Sequence, residues 1–210
     1  MSDSRTTTII AAAVSAAFGA SIAWSLSSRE SPGGATTKSE TAQESKYEGP
    51  FGEVISGKKI AKSVRIEIKL EVEELVQKNG TRPGLGVIIV GERPDSQSYV
   101  RMKKKASTEV GLHSVVVKMN ACSSEEEIVK QVEEMNNDPL IHGILVQLPL
   151  PEGVDEETVL AAIDLSKDVD GFCSENIGNL ALRGHAPLAI PCTPAVSCAI
   201  LFFFGRLRCL

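Results

Sequence analysis

The segment Leu85-Gly86-Val87-Ile88-Ile89-Val90 is a short, almost unbroken apolar run. A run with no polar face suits a strand covered on both sides, as in the parallel sheets of α/β proteins. The sequence around it carries a helical period instead. Ile60, Val64, Ile68, Val72, Leu75 and Val76 recur at helical spacing, and Asn79-Gly80 supplies a stop. Beyond the run, Pro94-Asp95-Ser96 opens a second helix that Gly111 closes, with Ala106 and Val110 between. Val115, Val116 and Val117, within residues 114–118, suit a second strand. Ser123 and Ser124 before Glu125, Glu126 and Glu127 form a capping-box signature for a third helix, with Ile128, Val132 and Met135 as its apolar face. Ile144-Leu145-Val146 is a third short apolar run. Strand, helix, strand, helix, strand with short connections predicts an α/β fold, a parallel sheet with flanking helices and right-handed crossovers.

In such sheets ligands sit beyond the carboxyl ends of the strands. Three segments fall there: the stretch from Glu92 to Lys103, the stretch from Asn120 to Ser123, and Gln147-Leu148-Pro149. On the first, Tyr99 and Lys103 stand four residues apart, which puts a phenol and an amine on one helix face. A lysine beside a ring at the mouth of a sheet can transfer protons if burial lowers its pKa. The competing reading is a solvated basic face, because Arg101, Lys104 and Lys105 are close by and exposure is the default for lysine. Gly84-Leu85-Gly86 reads as preceding its strand, so it is not a dinucleotide loop. The chain has no phosphate-binding G-x-x-x-x-G-K-S/T run and no serine in a G-x-S-x-G elbow.

The totals bound the alternatives. A net charge of -5 argues against non-specific nucleic-acid binding, and 4% aromatic residues leave little for base stacking. The five cysteines include no C-x-x-C pair and their number is odd, so a disulfide framework or structural zinc is not expected and a reducing compartment fits better. His113, His142 and His185 lack metal-ligand spacing, and no metal is expected. Residues 1–50 read as an apolar segment and linker. Residues 9–26 are uncharged and rich in Ala and Ser, with Arg5 before and Arg29 after, while residues 27–47 are polar with Gly33 and Gly34. Three readings compete for the apolar stretch: a cleaved import or signal segment, an uncleaved membrane anchor, and a disordered tail, with anchoring not favoured. A mitochondrial or plastid location follows from the first, and the cytosol is the alternative.

Four segments then combine in order: Tyr99-Val100-Arg101-Met102-Lys103, Gly143-Ile144-Leu145-Val146-Gln147-Leu148-Pro149-Leu150-Pro151, Lys167-Asp168-Val169-Asp170-Gly171-Phe172 and Pro191-Cys192-Thr193-Pro194. Together they resemble the bifunctional methylenetetrahydrofolate dehydrogenase/methenyltetrahydrofolate cyclohydrolase (FolD-type) family. The likeness runs from about Ile55 to Pro194, with residues 51–194 read as the catalytic domain and 195–210 as an atypical tail. It implies one-carbon folate metabolism: NADP-dependent oxidation of 5,10-methylenetetrahydrofolate, and hydrolysis of the methenyl product to 10-formyltetrahydrofolate. The implied partners are tetrahydrofolate derivatives.

By the resemblance, Lys103 corresponds to the catalytic lysine that moves protons, Gln147 to its hydrogen-bonding partner and Tyr99 to the ring that packs on the folate. Asp170, followed by Gly171, corresponds to the carboxylate that anchors the pterin, and Pro149 lies in the segment lining the folate slot. A carboxylate can accept the paired N–H donors a pterin offers. Each residue keeps a plainer reading. Tyr99 is alternatively a core-edge ring, Gln147 a strand-end cap, and Asp168 and Asp170 both turn formers, with Asp170 favoured because it directly precedes the glycine. No chemical role is expected for Cys192.

The family continues past Pro-Cys-Thr-Pro into an NADP-binding Rossmann domain that this chain is read as lacking. The family's homodimer contacts lie largely in that domain, so pairing is expected to be lost. The expectation is therefore a folate-binding half without dehydrogenase activity and with slight cyclohydrolase activity at most. The alternative is a non-enzymatic form that binds folate or modulates a full-length protein. A receiver-like module ranks low, since Glu92 is the sole acidic residue at the first strand's end.

Overall fold

The computed structural model describes residues 56–195. The expectations for the apolar stretch 9–26, the linker 27–47 and the tail from Val196 onward lie outside the described residues. Helix α1, Gly57–Asn79, starts on Ser56, whose side chain accepts from the Lys59 N–H, and ends on Gly80 at φ 68. That positive φ is why Asn79-Gly80 terminates the helix. Strand β1 is Gly84–Val90, and α2, Pro94–Val110, is closed by Gly111 at φ 85. Strand β2, His113–Met119, leads to α3, Glu125–Asn137, whose Ser124 and Glu127 form the reciprocal capping box. Strand β3, Gly143–Val146, is followed by the short helices α4, Glu156–Ala161, and α5, Ser174–Ala181, with a 3-10 turn at Leu165–Lys167 between them. Among the described residues no helix is long and apolar enough to cross a membrane.

All three strands are parallel, in the order β2-β1-β3. The apolar run is therefore the central strand, and all of its residues are buried. Val87 stands between Val116 and Leu145 in register. Side chains alternate across the sheet with the strand period of two. Leu85, Val87 and Ile89 pack with Leu145 under α1 and α2, meeting Ile68, Val72, Val100 and Val110. Ile88 and Val90 pack with Ile144 and Val146 on the other face, against Ile128, Val132 and Met135 of α3 and Val159 of α4. β2 is an edge strand and only partly covered, which is why its valines are half-buried.

The glycine pair Gly84 and Gly86 is a correction: it lies inside β1, not ahead of it. The reason is close approach. A Cβ on Gly84 would stand 1.8 Å from the Leu140 carbonyl oxygen, and one on Gly86 would stand 2.7 Å from the Met135 sulfur. Gly84 is also fastened to the loop before β3, where its N–H donates to His142 Nδ1 at 3.1 Å and its carbonyl accepts from the His142 N–H at 2.8 Å. Gly84→Ala must push one backbone away from another, so we expect a loss of about 2–3 kcal/mol. A thermal melt checks this, and an unchanged midpoint would show that the approach is softer than drawn. Lys167 closes the opposite end of α3, donating to the carbonyls of Met135, Asn136 and Asp138 at 3.2, 2.7 and 3.0 Å.

Candidate functional site

β1 ends at Val90, and α2 starts four residues later on the same end of the sheet. The buried face of α2 carries Ser96, Val100, Lys103, Ala106, Ser107 and Val110. Helical spacing thus turns Lys103 inward while Arg101, Lys104 and Lys105 stay exposed, so the solvated-face reading holds for those three and not for Lys103. Lys103 is 6% exposed. A lysine is rarely that deep without partners.

Its partners come from two other segments. Gln147, the residue after β3, accepts from Lys103 Nζ through Oε1 at 3.3 Å. The same amide donates through Nε2 to the Leu148 carbonyl at 2.8 Å, which turns Oε1 toward the lysine. Asp170 Oδ2 lies 4.0 Å from Nζ, and both side chains are largely buried. Burial pushes the Lys103 pKa below its ordinary value, while Asp170, and secondarily Cys192, pull it back up. Burial raises the Asp170 pKa in turn, against the lowering effect of Lys103, and Asp168 adds to the rise. The result is a water-poor cation–anion pair whose two members are both biased toward neutrality.

Asp168 and Asp170 are separated by the fold. Asp168 is 1% exposed and points into the turn, accepting from the N–H of Gly171 at 2.9 Å, the N–H of Cys173 at 3.0 Å and Asn176 Nδ2 at 2.7 Å. Asp170 points to Lys103. Gly171 has φ 71, and a Cβ there would sit 2.7 Å from the Ala189 carbonyl oxygen, so this position takes glycine alone. Tyr99 stands one turn before Lys103 and is 46% exposed. Pro149 is exposed beyond Gln147, and the Leu148-Pro149 peptide is cis.

The fold therefore brings Lys103, Gln147 and Asp170 together, with Gly171 beside them. Tyr99 and Pro149 are both exposed, one a helical turn before Lys103 and the other two residues past Gln147. Two participants were not anticipated. Cys192 is near enough to act on the Lys103 titration, in the direction that raises its pKa. Asn176 holds Asp168, and nothing in the sequence of α5, which also carries Gly178 and Asn179, singles it out. Among the described residues no group of three or more His, Cys, Asp or Glu is placed to hold a metal ion.

Comparisons with known proteins point the same way. The tetrahydrofolate dehydrogenase/cyclohydrolase catalytic-domain family matches residues 55–170. The chain is 54% identical over 141 residues to bifunctional protein FolD 4, chloroplastic, of Arabidopsis thaliana, covering 67% of this chain and 39% of that protein. It is 50% identical over 142 residues to bifunctional protein FolD of Moorella thermoacetica, covering 68% of this chain and 50% of that one. Among solved structures, Trypanosoma brucei N5,N10-methylenetetrahydrofolate dehydrogenase-cyclohydrolase, complexed with NADP cofactor and inhibitor, aligns with a TM-score of 0.71 at 37% identity, over 75% of this chain and 53% of that chain. The chain spans about half the length, or less, of these relatives. The family match takes in more than half of the chain and all three strands, so the chain belongs to the tetrahydrofolate dehydrogenase/cyclohydrolase family through its catalytic domain.

Proposed function

We propose that this domain binds tetrahydrofolate derivatives and hydrolyses the methenyl form to 10-formyltetrahydrofolate, with Lys103 as the proton-transfer group. The observation that carries the reading is the buried Lys103 amine, held by Gln147 Oε1 at 3.3 Å and faced by Asp170 at 4.0 Å. Hydrolysis needs water at the carbon bridging two nitrogens. Water oxygen bonds to that carbon, and one water proton passes to the neutral amine. The adduct then breaks its bond to N5, which takes up a proton as the adduct's hydroxyl becomes the formyl carbonyl, and one proton reaches solvent overall. Burial lowers the amine's pKa from its ordinary value and so raises the share of the neutral, proton-accepting form. Gln147 fixes its direction. Asp170 is the acceptor for the pterin's N–H donors, and Tyr99 at the rim offers its face to the ring.

The family's nicotinamide cofactor is a separate matter. Among the described residues the turns after the strands are Gly91-Glu92-Arg93, Asn120-Ala121-Cys122-Ser123 and Gln147-Leu148-Pro149. None has the glycine spacing that lets a backbone approach a pyrophosphate, so the described residues do not fit NADP and no hydride step is assigned to them. The chloroplastic relative supports the reading of residues 9–26 as an organelle-import segment.

Asp170→Asn tests the binding half of the proposal. It keeps the shape and removes a charge-assisted acceptor, so folate affinity should fall by about 1.5–3 kcal/mol, roughly ten- to a hundredfold in Kd. Titration calorimetry with 5-formyltetrahydrofolate reads this directly, and equal affinities would remove Asp170 from the site. Loss of methenyltetrahydrofolate absorbance reads the chemical half. Folate binding with no turnover would favour the non-enzymatic alternative.

A further inference from the structure

Asn176 is the buried residue of α5, 1% exposed, and both ends of its amide are committed. Its Nδ2 donates to Asp168 Oδ2 at 2.7 Å. Its Oδ1 accepts from the N–H groups of Leu188 at 2.9 Å and Ala189 at 3.3 Å. Through Asp168, whose other oxygen holds the Gly171 N–H, the amide reaches the turn that presents Asp170. Through the 188–191 strap it reaches the same turn from outside, because the Ala189 carbonyl oxygen and Pro191 Cδ would lie 2.7 and 2.9 Å from a Cβ on Gly171. The strap then runs directly into Cys192, which also acts on the Lys103 titration. One buried amide thus joins the turn that presents Asp170 to the strap that leads to Cys192.

We propose that Asn176 is a positioning residue for the Lys103–Gln147–Asp170 group, setting how far the Asp170 carboxylate and the strap stand from the Lys103 amine. As regards catalysis this rests on the folate reading above, but the placement itself can be read without substrate. Asn176→Ala removes both routes at once. With Asp170 and the strap free to drift outward, the counter-charge at Lys103 and the burial that opposes its own charge both change, so its titration moves from the wild-type position. Hydrolysis should fall as misplacement grows, to about a hundredfold for a shift near 1 Å.

The experiment uses the full chain with lysines labelled at Cε, the Lys103 resonance being assigned by its loss in Lys103→Met. Wild type and Asn176→Ala are titrated without ligand, and the rate of methenyltetrahydrofolate hydrolysis is measured against pH. The expected result is a Lys103 titration and a matching limb of the rate profile that both move, in the same direction, from their wild-type positions, with raised KM. Should the alanine variant fail to fold, Asn176→Ser, which keeps a small polar group that cannot serve Asp168 and the strap together, supplies the same readings. A lowered melting temperature with Lys103 titration and KM as in wild type would overturn the proposal, as would loss of the fold in both variants. A shifted titration in a chain that hydrolyses nothing would sink the hydrolytic reading and leave the positioning role standing.

Discussion

Lys103→Met is expected to lower methenyltetrahydrofolate hydrolysis by about two to four decades while leaving a folded protein, since general acid–base groups contribute on that scale. Methionine matches the lysine stem in length and packs against the same walls, so the loss reports the amine and not the shape. The variant also carries a signature in stability. An amine whose folded pKa lies below its unfolded value holds fewer protons when folded, so wild-type stability rises as pH climbs from the folded pKa toward the ordinary value of 10.5. Lys103→Met lacks that rise. Asp170 works in the opposite sense: its folded pKa lies above the ordinary 3.8, so its contribution to stability falls as pH rises through the interval between them. Without the Lys103 cation the Asp170 pKa climbs further, and the interval widens upward. Chemical denaturation at several pH values, set beside the hydrolysis rates, separates the two effects. Equal rates in both proteins would mean that this amine moves no proton.

The framework was legible because its elements bury faces. The six-residue apolar run, the helical period from Ile60 to Val76 and the capping box at Ser124 each leave a pattern that neighbouring residues repeat. The segment after Pro151 leaves no such pattern. α4, the 3-10 turn and α5 are short, and they are fastened by polar side-chain bonds such as Asp155 to the Glu157 N–H, Asp164 to the Ser166 N–H and Asn176 to Asp168. Bonds of that kind carry no period. The two glycines of β1 misled for a related reason, because the requirement for glycine comes from Leu140 and Met135, far along the chain. At the site, spacing along α2 was enough to pair Tyr99 with Lys103 on one helix, but not to show that Lys103 is buried and Tyr99 exposed. The Lys103–Gln147 bond joins residues 44 apart, and the resemblance, not the periodicity, singled out Gln147.

Asp168→Ala should cost about 3–5 kcal/mol, because it leaves buried donors facing nothing. Three are involved, the N–H groups of Gly171 and Cys173 and the Asn176 amide, and all of them lie under the 168–176 turn, where water cannot replace the lost carboxylate. Against a total stability of about 5–15 kcal/mol for a domain of this kind, that is a large share, and the variant should melt early or not fold. Asp170, two residues on, should behave in the opposite way. Its side chain makes no backbone bond that holds the turn, and its burial opposes the charge it carries. Replacing Lys103 and Asp170 together by Met and Asn removes a buried ion pair whole, which is commonly neutral or stabilising. Melting curves of the Asp168→Ala chain and of the Lys103→Met/Asp170→Asn chain should therefore move apart, the first far down and the second level or upward, while only the second keeps a folded protein that has lost folate. Similar melting temperatures for the two would mean that the fold does not divide the two aspartates into one that holds the turn and one that faces the ligand.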